Sequence, residues 1–492
     1  MSKSIAIIGS GLGGLSAGIY GQMNGFETHI YEMNSRAGGQ CASWKRKGYT
    51  FDICLHHLMG CSPDSKIHAI WSEIGAFPME VVYPKECVSV TAPDGRLFID
   101  YYDLEKLEKH LNELSPQDHD LIHEYVVAIR YLAANDLMGE MVMGGISGVL
   151  SKFPVMLKNR RWLKLTMREF AARFKDPFLQ KAFPLLVYST PDIPVFVHLM
   201  RKASGLNRDI AWPVGASSTL INGITARYLE LGGKIDYNSR VSKILTKDGK
   251  ACGIKLADGA EAGADIVISN ADGRNTLLNL LDGKFMDDRL RGYCKETHDE
   301  TNWAVHVFLG INRDLSDAPS SMVMLLDNPV TIAGHELSSL ELQIYSLDKT
   351  MAPQGKSAIK VELVSSYDYW SNRSKEDYQA EKDKVATQVI ELLERQFPGI
   401  SDQVEVVDVP TLLTWEHFMG GYHGFANMPN KPINMMASFF GKGNMTVPGL
   451  SDFYFAGVWA TSAGATFINA LSGKKAVQSI CKKERIPFRV EE

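Results

Sequence analysis

The amino-terminal thirty residues constrain the fold most, because they place a glycine-rich turn between an apolar strand and a helical segment. Residues 5–8 are an unbroken apolar run, typical of a strand buried on both faces of a parallel sheet. Gly9, Gly11 and Gly14 then give the spacing G-x-G-x-x-G. In such a unit the first glycine permits a tight turn, the second lets the backbone approach a pyrophosphate, and the third lets the helix pack closely on the strand.

A second strand and an acidic residue complete the unit. Residues 28–31 are predicted to form the strand, and Glu32 follows it, 21 residues beyond Gly11. A carboxylate at this distance can hold both ribose hydroxyls of an adenosine, while the free N–H groups and the dipole at the start of the helix attract a diphosphate. The stretch therefore predicts a dinucleotide-binding βαβ unit, with a merely structural glycine turn as the alternative.

A second pair of glycines narrows the choice of dinucleotide. Gly38 and Gly39 follow six residues after Glu32, and Phe51-Asp52 lies thirteen residues further on. This arrangement resembles the second glycine motif of the glutathione-reductase-type FAD enzymes, specifically the phytoene desaturase, carotenoid isomerase and retinol saturase group. The resemblance implies that this stretch passes close to the flavin diphosphate and ribityl chain. Gln40 departs from the Arg or Lys that the group often carries.

Two later stretches extend the resemblance over nearly the whole chain. Residues 267–272 read VISNAD, close to the pattern of the group, and the residue matching Val241 is implied to meet the adenine through its backbone. Residues 453–457 read FYFAG and resemble the carboxy-terminal Y-F-A-G-D motif, with Val458 in place of the aspartate. The helix that follows is implied to face the flavin, where its dipole would stabilise the anionic reduced ring.

The resemblance thus implies FAD as the cofactor and a set of contacts drawn from all of these motifs. The predicted FAD-binding residues are Gly9, Gly11, Leu12, Gly13, Gly14, Glu32, Met33, Gly38, Gly39, Gln40, Val241, Asn270, Gly457, Val458, Ala465 and Thr466.

The implied fold class is α/β. It comprises a Rossmann-type FAD-binding domain with a parallel sheet and helices, an inserted α+β substrate domain and a helical subdomain. Five segments are predicted: 1–110, the first part of the FAD-binding domain, running into substrate-domain strands; 111–204, the helical subdomain; 205–295, the second part of the FAD-binding domain; 296–435, the substrate domain; and 436–492, the carboxy-terminal part of the FAD-binding domain.

The helical region, from Ser115 to about Ala203, contains a basic segment that two interpretations fit. Prolines at 154, 177, 184, 191 and 194 are predicted to cut the region into shorter helices. Residues 151–175 carry eight basic side chains against one acid, Glu169, and the helical spacing separates an apolar face from a basic one; these faces are Leu163, Met167, Phe170 and Phe174, and Arg161, Lys164 and Arg168. The segment is either a basic amphipathic helix on an anionic membrane surface or an ordinary surface helix packed on the core.

Composition excludes several classes of function. The 57 acidic and 52 basic residues give a net charge of −5, so no overall field favours nucleic acid. No apolar run reaches the ~18 residues of a transmembrane helix, and because residues 1–4 precede the predicted first strand, no signal peptide is expected. The seven cysteines are odd in number and lack C-x-x-C spacing, which favours a reduced cytoplasmic protein without a structural metal. Nothing in the pattern specifies an oligomeric state.

Acid and base candidates come from two short stretches. His56 and His57 follow Phe51-Asp52, where retinol saturases carry a similar F-D-x-G-x-H run, although Cys54 replaces the glycine here. Tyr422 and His423, with His417 just upstream, precede the carboxy-terminal flavin motif. An imidazole beside a flavin could protonate a carbanion or orient a polar head group. Hydrogen-bonded structural histidines and a simple glycine turn are the alternatives, and Asp52 is either a flavin contact or a strand-end carboxylate.

Three functions compete at this point. The leading hypothesis is an FAD-dependent oxidoreductase that desaturates, saturates or isomerises C=C bonds of a hydrophobic polyene or isoprenoid-like substrate by hydride transfer at flavin N5. An amine-oxidase-like flavoenzyme is the second, which Val458 and the absence of Arg at position 40 disfavour. The third is a carrier without redox chemistry, like the Rab GDP-dissociation inhibitors, which the intact glycine motif and Glu32 disfavour.

Overall fold

The computed structural model describes residues 2–295, 302–424, 446–461 and 464–490. The strands, numbered in chain order, are β1 Ser4–Ile8, β2 Glu27–Tyr31, β3 Ser43–Arg46, β4 Tyr49–Asp52, β5 Leu58–Met59, β6 Val81–Val82, β7 Glu86–Thr91, β8 Leu97–Tyr101, β9 Ile210–Pro213, β10 Lys234–Asp236, β11 Val241–Lys247, β12 Lys250–Leu256, β13 Glu261–Gly263, β14 Ile266–Ser269, β15 Asn302–Ile311, β16 Ser321–Ile332, β17 His335–Ile344, β18 Ser357–Ser365, β19 Val404–Asp408 and β20 Phe453–Phe455. The helices are α1 Leu12–Met23, α2 His68–Glu73, α3 Leu104–Leu114, α4 His119–Ala133, α5 Leu137–Met143, α6 Gly145–Lys158, α7 Arg160–Lys164, α8 Met167–Ala171, α9 Pro177–Ala182, α10 Val195–Leu206, α11 Ala216–Glu230, α12 Gly273–Asn275, α13 Asp288–Lys295, α14 Tyr367–Ser371, α15 Lys375–Gln396, α16 Leu412–Met419, α17 Val458–Thr461 and α18 Thr466–Glu484.

A five-stranded parallel sheet in the order β10-β2-β1-β14-β20 gathers elements from both ends of the chain. The central strand β1 is buried on both faces, as its apolar run predicts: Ile5 and Ile7 face one core and Ala6 and Ile8 the other. All pairings in the sheet are parallel. The loops after β1, β2, β14 and β20 therefore leave from one edge, and this carboxyl edge is where α/β folds bind ligands.

Two different layers cover this sheet. Helices α1, α11 and α18 share one core with β1, while the antiparallel sheet β11-β12-β13 packs on the opposite face. Helices α1 and α18 cross closely, because a Cβ on Gly473 would lie 2.4 Å from the carbonyl oxygen of Gly13 and 2.5 Å from the amide nitrogen of Ala17. The first turn of α1 is thereby fixed against the carboxy-terminal helix.

A seven-stranded sheet forms the second half of the molecule, in the order β19-β15-β18-β17-β16-β7-β8. Its two amino-terminal strands, β7 and β8, join strands from residues 302–408, so the sheet is built from distant parts of the chain. Helix α15 packs on one face of β15, β17 and β18 through apolar residues. The strands of this sheet come from the predicted first segment, 1–110, and the predicted substrate domain, 296–435. The boundaries of the segments stay a prediction.

The helical region corrects two expectations. Pro154 lies inside α6 rather than between helices, and the neighbouring Val155 is buried in the core of the helical region. Residues 151–175 do not form one amphipathic helix: they end α6 and form α7 and α8, and Thr166 caps α8 with a capping box. Met167 and the two phenylalanines of the predicted apolar face are buried in the core of the helical region.

Candidate active site

A cleft opens at the carboxyl edge of the parallel sheet, where the first glycine turn meets the start of α1. Gly9, Gly11, Leu12 and Gly13 border it. Gly9 has φ +89°, a conformation that favours glycine. No side chain caps the amino terminus of α1 at Gly11, so the N–H groups of its first turn are available to an anion in the cleft.

The three motif glycines divide their work as the spacing predicts. A Cβ on Gly14 would lie 2.1 Å from the carbonyl oxygen of Gly9, so this glycine is required for α1 to pack on β1. A Cβ on Gly11 would lie 2.7 Å from the side-chain nitrogen of Asn270 and would narrow the cleft. Gly14 therefore serves packing and does not border the cleft, whereas Gly9 and Gly11 do.

Asn270 joins the three distant motifs. The backbone N–H of Asn270 donates to the carbonyl oxygen of Ile8 at 2.9 Å, which connects the end of β14 to the end of β1. A Cβ on Gly13 would meet both the Asn270 Oδ1 and the Gly457 nitrogen at 2.5 Å. The opening turn, the mid-chain motif and the carboxy-terminal motif therefore lie in van der Waals contact around one asparagine.

One end of the cleft is closed by a buried carboxylate. Glu32 is only 3% exposed; its Oε2 accepts from the N–H and the hydroxyl of Ser10 at 2.9 and 2.6 Å, and its Oε1 accepts from the N–H of Asn34 at 2.9 Å. Met33, Arg240 and Val241 border the cleft beside it. The side-chain nitrogen of Asn34 also donates to Oε1, at 3.0 Å, so four hydrogen bonds fix the carboxylate at the cleft wall.

The second glycine pair lies against the first turn. The N–H of Gly38 donates to the Ser10 carbonyl oxygen at 3.0 Å, and both Gly38 and Gly39 have positive φ. A Cβ on Gly39 would lie 3.3 Å from the Cα of Gly11, so the two glycine motifs touch through their backbones. Gln40 borders the cleft beyond them.

The other end of the cleft is formed by the carboxy-terminal motif. Gly457, Val458 and Thr466 border it, and no side chain caps α18, which begins at Thr466. Asn469, one turn into α18, also borders the cleft, and among the described atoms its buried Oδ1 has no hydrogen-bond partner. An acceptor held in this way suits a ligand that brings its own donor.

These features fit FAD. The cleft has a buried acid at one end for the adenosine ribose, an uncapped helix start beside backbone-exposing glycines for the diphosphate, and a second uncapped helix with an unpartnered amide at the other end. Of the predicted FAD-binding residues, all but Gly14 and Ala465 border the cleft. The individual contacts stay predictions.

Several residues at the cleft were missed from the sequence. Asn469 lies three residues after Thr466 in a predicted helix, so helical spacing could have found it. Arg240 immediately precedes the predicted contact Val241, so its position next to that residue could have indicated it. Cys41 and Cys54 border the cleft with their sulfur atoms 3.3 Å apart, because the hairpin of β3 and β4 brings them together. The contact with Cys54 and burial raise the pKa of the Cys41 thiol, which is therefore neutral.

His56 and His57 do not border the cleft. They lie just beyond Cys54, next to two further cavities. The Nε2 of His56 is 3.4 Å from Oε1 of Glu362, and burial lowers the pKa of His56 to about 4 and that of His57 well below its ordinary value. Both imidazoles are neutral at physiological pH, and their acid–base role stays a prediction.

Tyr422 and His423 form an aromatic stack outside the cleft. The His423 ring lies 4.0 Å from the Tyr422 ring and 4.2 Å from the Tyr367 ring, between centroids. His417 is exposed, while the glycines at 420 and 421 border the cleft. The predicted catalytic role of Tyr422 and His423 stays a prediction.

Asp52 holds a loop. It accepts from the N–H groups of Cys54, Leu55 and Ser217 at 2.8–3.0 Å. Burial raises the pKa of Asp52 above its ordinary value, although the hydrogen bonds from Leu55 and Ser217 oppose this shift. The carboxylate thus ties the loop after β4 to the start of α11 and does not border the cleft.

Comparison with known proteins extends these observations. A family model described as flavin containing amine oxidoreductase matches residues 12–481. The chain is 24% identical over 504 residues to a phytoene desaturase (lycopene-forming) of Paracoccus sp., covering 97% of each chain. It is 26% identical over 448 residues to prolycopene isomerase 1, chloroplastic, of an Oncidium hybrid cultivar, covering 86% of this chain and 75% of the isomerase. An oxidoreductase structure from Methanosarcina mazei shares the fold, with a TM-score of 0.59 and 19% identity over 96% of this chain and 100% of that one.

The family match begins at the first turn of α1 and ends within α18, so it includes the elements that form the cleft except β1 and the turn with Gly9 and Gly11 just ahead of it. The geometry of the cleft and the extent of the match lead to the same conclusion. The chain belongs to the flavin-containing amine oxidoreductase family and is an FAD-dependent oxidoreductase.

Proposed function

We propose that the protein desaturates, saturates or isomerises C=C bonds of a hydrophobic polyene or isoprenoid-like substrate. The observation that carries this proposal is the alignment with a phytoene desaturase over 97% of both chains. The prolycopene isomerase supports the same substrate class with a different reaction. FAD, when bound, supplies a centre that accepts or donates a hydride at N5.

The residues of the chain have three tasks in this proposal. Glu32 and the glycine turns hold the dinucleotide, and the two uncapped helix starts place positive dipole ends at the diphosphate and at the flavin end. Val458 and the neutral thiol of Cys41 give the cleft wall positions without charge. Such walls suit a substrate that must react with water excluded.

Contact with an anionic membrane surface is part of the same proposal. Leu150, Phe153 and Leu157 are 68%, 60% and 52% exposed, and their i, i+3, i+7 spacing places them on one face of α6. Lys158 and Arg160 follow on the exposed surface. An apolar stripe next to basic side chains is typical of an element that lies in the plane of a bilayer surface. Among the described residues, no helix has the length and apolar character needed to cross a membrane.

The test is anaerobic incubation of the purified flavoprotein with candidate polyenes, with and without a reductant. Flavin absorbance and product mass are followed together. A mass change of two hydrogens gives the direction of the reaction, and an unchanged mass with a shifted retention time identifies isomerisation. Hydrogen peroxide release with amines, and no change in any polyene, would refute the proposal in favour of amine oxidation.

A further inference from the structure

Two adjoining cavities lie between the seven-stranded sheet and α10. Both are bordered by His56, Arg201, Ser321 and Gln343, and we call them the Arg201 chamber. His56 is two residues from Cys54, which borders the FAD cleft, so the backbone places the chamber within about 7 Å of that cleft along the chain. The FAD cleft does not include the chamber.

One face of the sheet lines the chamber and is unusually polar. In β18, Ile359, Val361 and Leu363 face the core beneath α15, so the alternation places Lys360 and Glu362 on the opposite face. Lys360 is fully buried and Glu362 is 8% exposed. Charged side chains on such a face ordinarily meet water, and here they are enclosed.

The cations in and around the chamber differ in how closely they are paired. Lys360 pairs with Glu362 at 2.8 Å, and Lys202 pairs with Asp100 at 2.8 Å. Among the described residues, Arg201 has no carboxylate within 4 Å, and its Nε is buried without a hydrogen-bond partner. Its remaining protein contacts are a long hydrogen bond to the Leu186 carbonyl oxygen, at 3.4 Å, and the ring of Tyr188, at 5.1 Å. Arg201 is therefore the cation without a close carboxylate, although Glu86 and Asp348 also border one of the two cavities.

Neighbouring groups are suited to help bind an anion. The Oε1 of Glu341 is buried without a partner, and burial raises the pKa of this side chain to about 8, so its neutral form can donate a hydrogen bond. The backbone nearby is strained: Tyr188 and Ser189 have φ +47° and +44° although neither is glycine. Tyr188 stays 37% exposed and borders the chamber. Backbone strain of this kind clusters at functional sites.

We propose that the Arg201 chamber binds the carboxylate head group of an amphipathic, unsaturated substrate, whose chain extends toward the FAD cleft. The identity of that chain rests on the proposed function, whereas the head-group site rests on the chamber alone. One unpaired guanidinium matches one negative charge, and its planar fork fits the two oxygens of a carboxylate. A diphosphate would bring further charges into a space with one free cation among the described residues.

The test uses parinaric acid, a conjugated 18-carbon tetraene acid whose fluorescence rises on transfer to an apolar site. The native flavoprotein is titrated with the acid and, in parallel, with its methyl ester, which has the same chain without the charge. We expect the acid to bind at least tenfold more tightly than the ester. Equal affinities in the native protein would overturn the proposal without any variant.

Substitutions test whether Arg201 causes the preference for the acid over the ester. Arg201→Gln is expected to reduce the acid-over-ester preference at least tenfold, and Arg201→Lys, which keeps the charge without the planar fork, to retain part of it. Arg208→Gln is the matched control, because Arg208 lies just beyond α10, is exposed and does not border the chamber. Retention of the full preference in Arg201→Gln, or its loss in Arg208→Gln, would refute the assignment. Each variant is checked for flavin content and thermal midpoint.

Two further arms separate this proposal from the proposed function. Displacement of parinaric acid by oleate, and not by oleyl alcohol, is expected; stronger displacement by oleyl phosphate would refute the carboxylate assignment. If hydrocarbon polyenes are converted and the acid fails to bind, the chamber proposal falls and the proposed function stands. If the acid binds and no polyene is ever converted, the proposed function falls and the chamber proposal stands.

Discussion

Replacing Gly14 by alanine tests the packing on which the FAD cleft depends. The added Cβ would lie 2.1 Å from the Gly9 carbonyl oxygen, and the backbone atoms that it meets cannot rotate away. Carbon and oxygen atoms prefer separations of roughly 3.5 Å, so α1 must move from β1 by about 1 Å or more. The first turn of α1 would then move away from the diphosphate.

The magnitude follows from the geometry. Overpacking of this kind typically costs about 1–3 kcal/mol, and a backbone clash belongs at the upper end of that range. At about 2.1 cal/mol/K per residue, the unfolding entropy of the 492-residue chain is roughly 1 kcal/mol/K, so a loss of about 3 kcal/mol lowers the thermal midpoint by roughly 3 °C. A displacement that removes one N–H contact to the diphosphate weakens FAD binding at least about tenfold, or ~1.4 kcal/mol.

The assay is thermal unfolding followed by tryptophan fluorescence, together with titration of the apoprotein with FAD. Gly292→Ala is the matched control, because a Cβ there meets no atom within 4 Å and the residue lies in α13. The control should leave the midpoint unchanged or raise it slightly. If Gly14→Ala melts and binds FAD like the native protein, the close approach of α1 to β1 is not what holds the cleft.

Three further predictions concern other parts of the molecule. Asn469→Leu should weaken FAD binding about tenfold while preserving the fold, because it removes the unpartnered buried acceptor; unchanged affinity in an FAD titration would contradict this role. Phe153→Glu should reduce cosedimentation with phosphatidylserine vesicles, whereas Val407→Glu, at another exposed apolar position, should not; equal effects would contradict a specific contact through α6. Burial lowers the pKa of His198 to about 4, so the neutral side chain contributes stability that is fully present above pH 6.5 and is lost as the pH falls toward 4. His198→Gln should therefore remove about 3 kcal/mol from the loss of stability that denaturant titrations record between pH 6.5 and 4, while buried histidines such as His56 keep their own contribution; an unchanged loss would contradict the prediction.

The FAD-binding part of the fold could be predicted from the sequence because the motifs that specify it are local. A buried strand, a glycine turn and a helix lie within residues 4–23, and the acid at Glu32 follows the next strand. The strand ends before Asn270 and Gly457 had recognisable motifs of their own. Parallel pairing then brings all of these ends to one edge, so local motifs were enough to predict where they meet.

Sites that depend on pairing between distant strands could not be predicted in this way. Lys360 and Glu362 alternate with apolar residues, a pattern that ordinarily indicates a face open to water. The other face packs beneath α15 as expected, but the charged face is enclosed in the chamber. Which layer covers a sheet face is a tertiary property, and the alternation contains no information on it.

The prediction for the basic segment, residues 151–175, was wrong because a local signal was overlooked. The prediction of an amphipathic helix treated residues 151–175 as one continuous helix, whereas Asn159 and Thr166 separate three helices there. Arg161 and Arg168 of the predicted basic face pair with Glu124 and Asp192. The exposed apolar stripe instead lies one helix earlier, on α6. A capping residue such as Thr166, followed by Glu169, was the local signal for the break.

The central claim is that the opening turn, the mid-chain motif and the carboxy-terminal helix hold one FAD. Its most direct measurement is titration of the apoprotein with FAD, by flavin absorbance, for the native protein and for Gly11→Val. The native protein should bind one FAD per chain, and the variant should fold with a native circular dichroism spectrum but bind none, since a side chain there enters the cleft beside Asn270. A folded native protein that binds no FAD, or a variant that binds it stoichiometrically, would contradict the account.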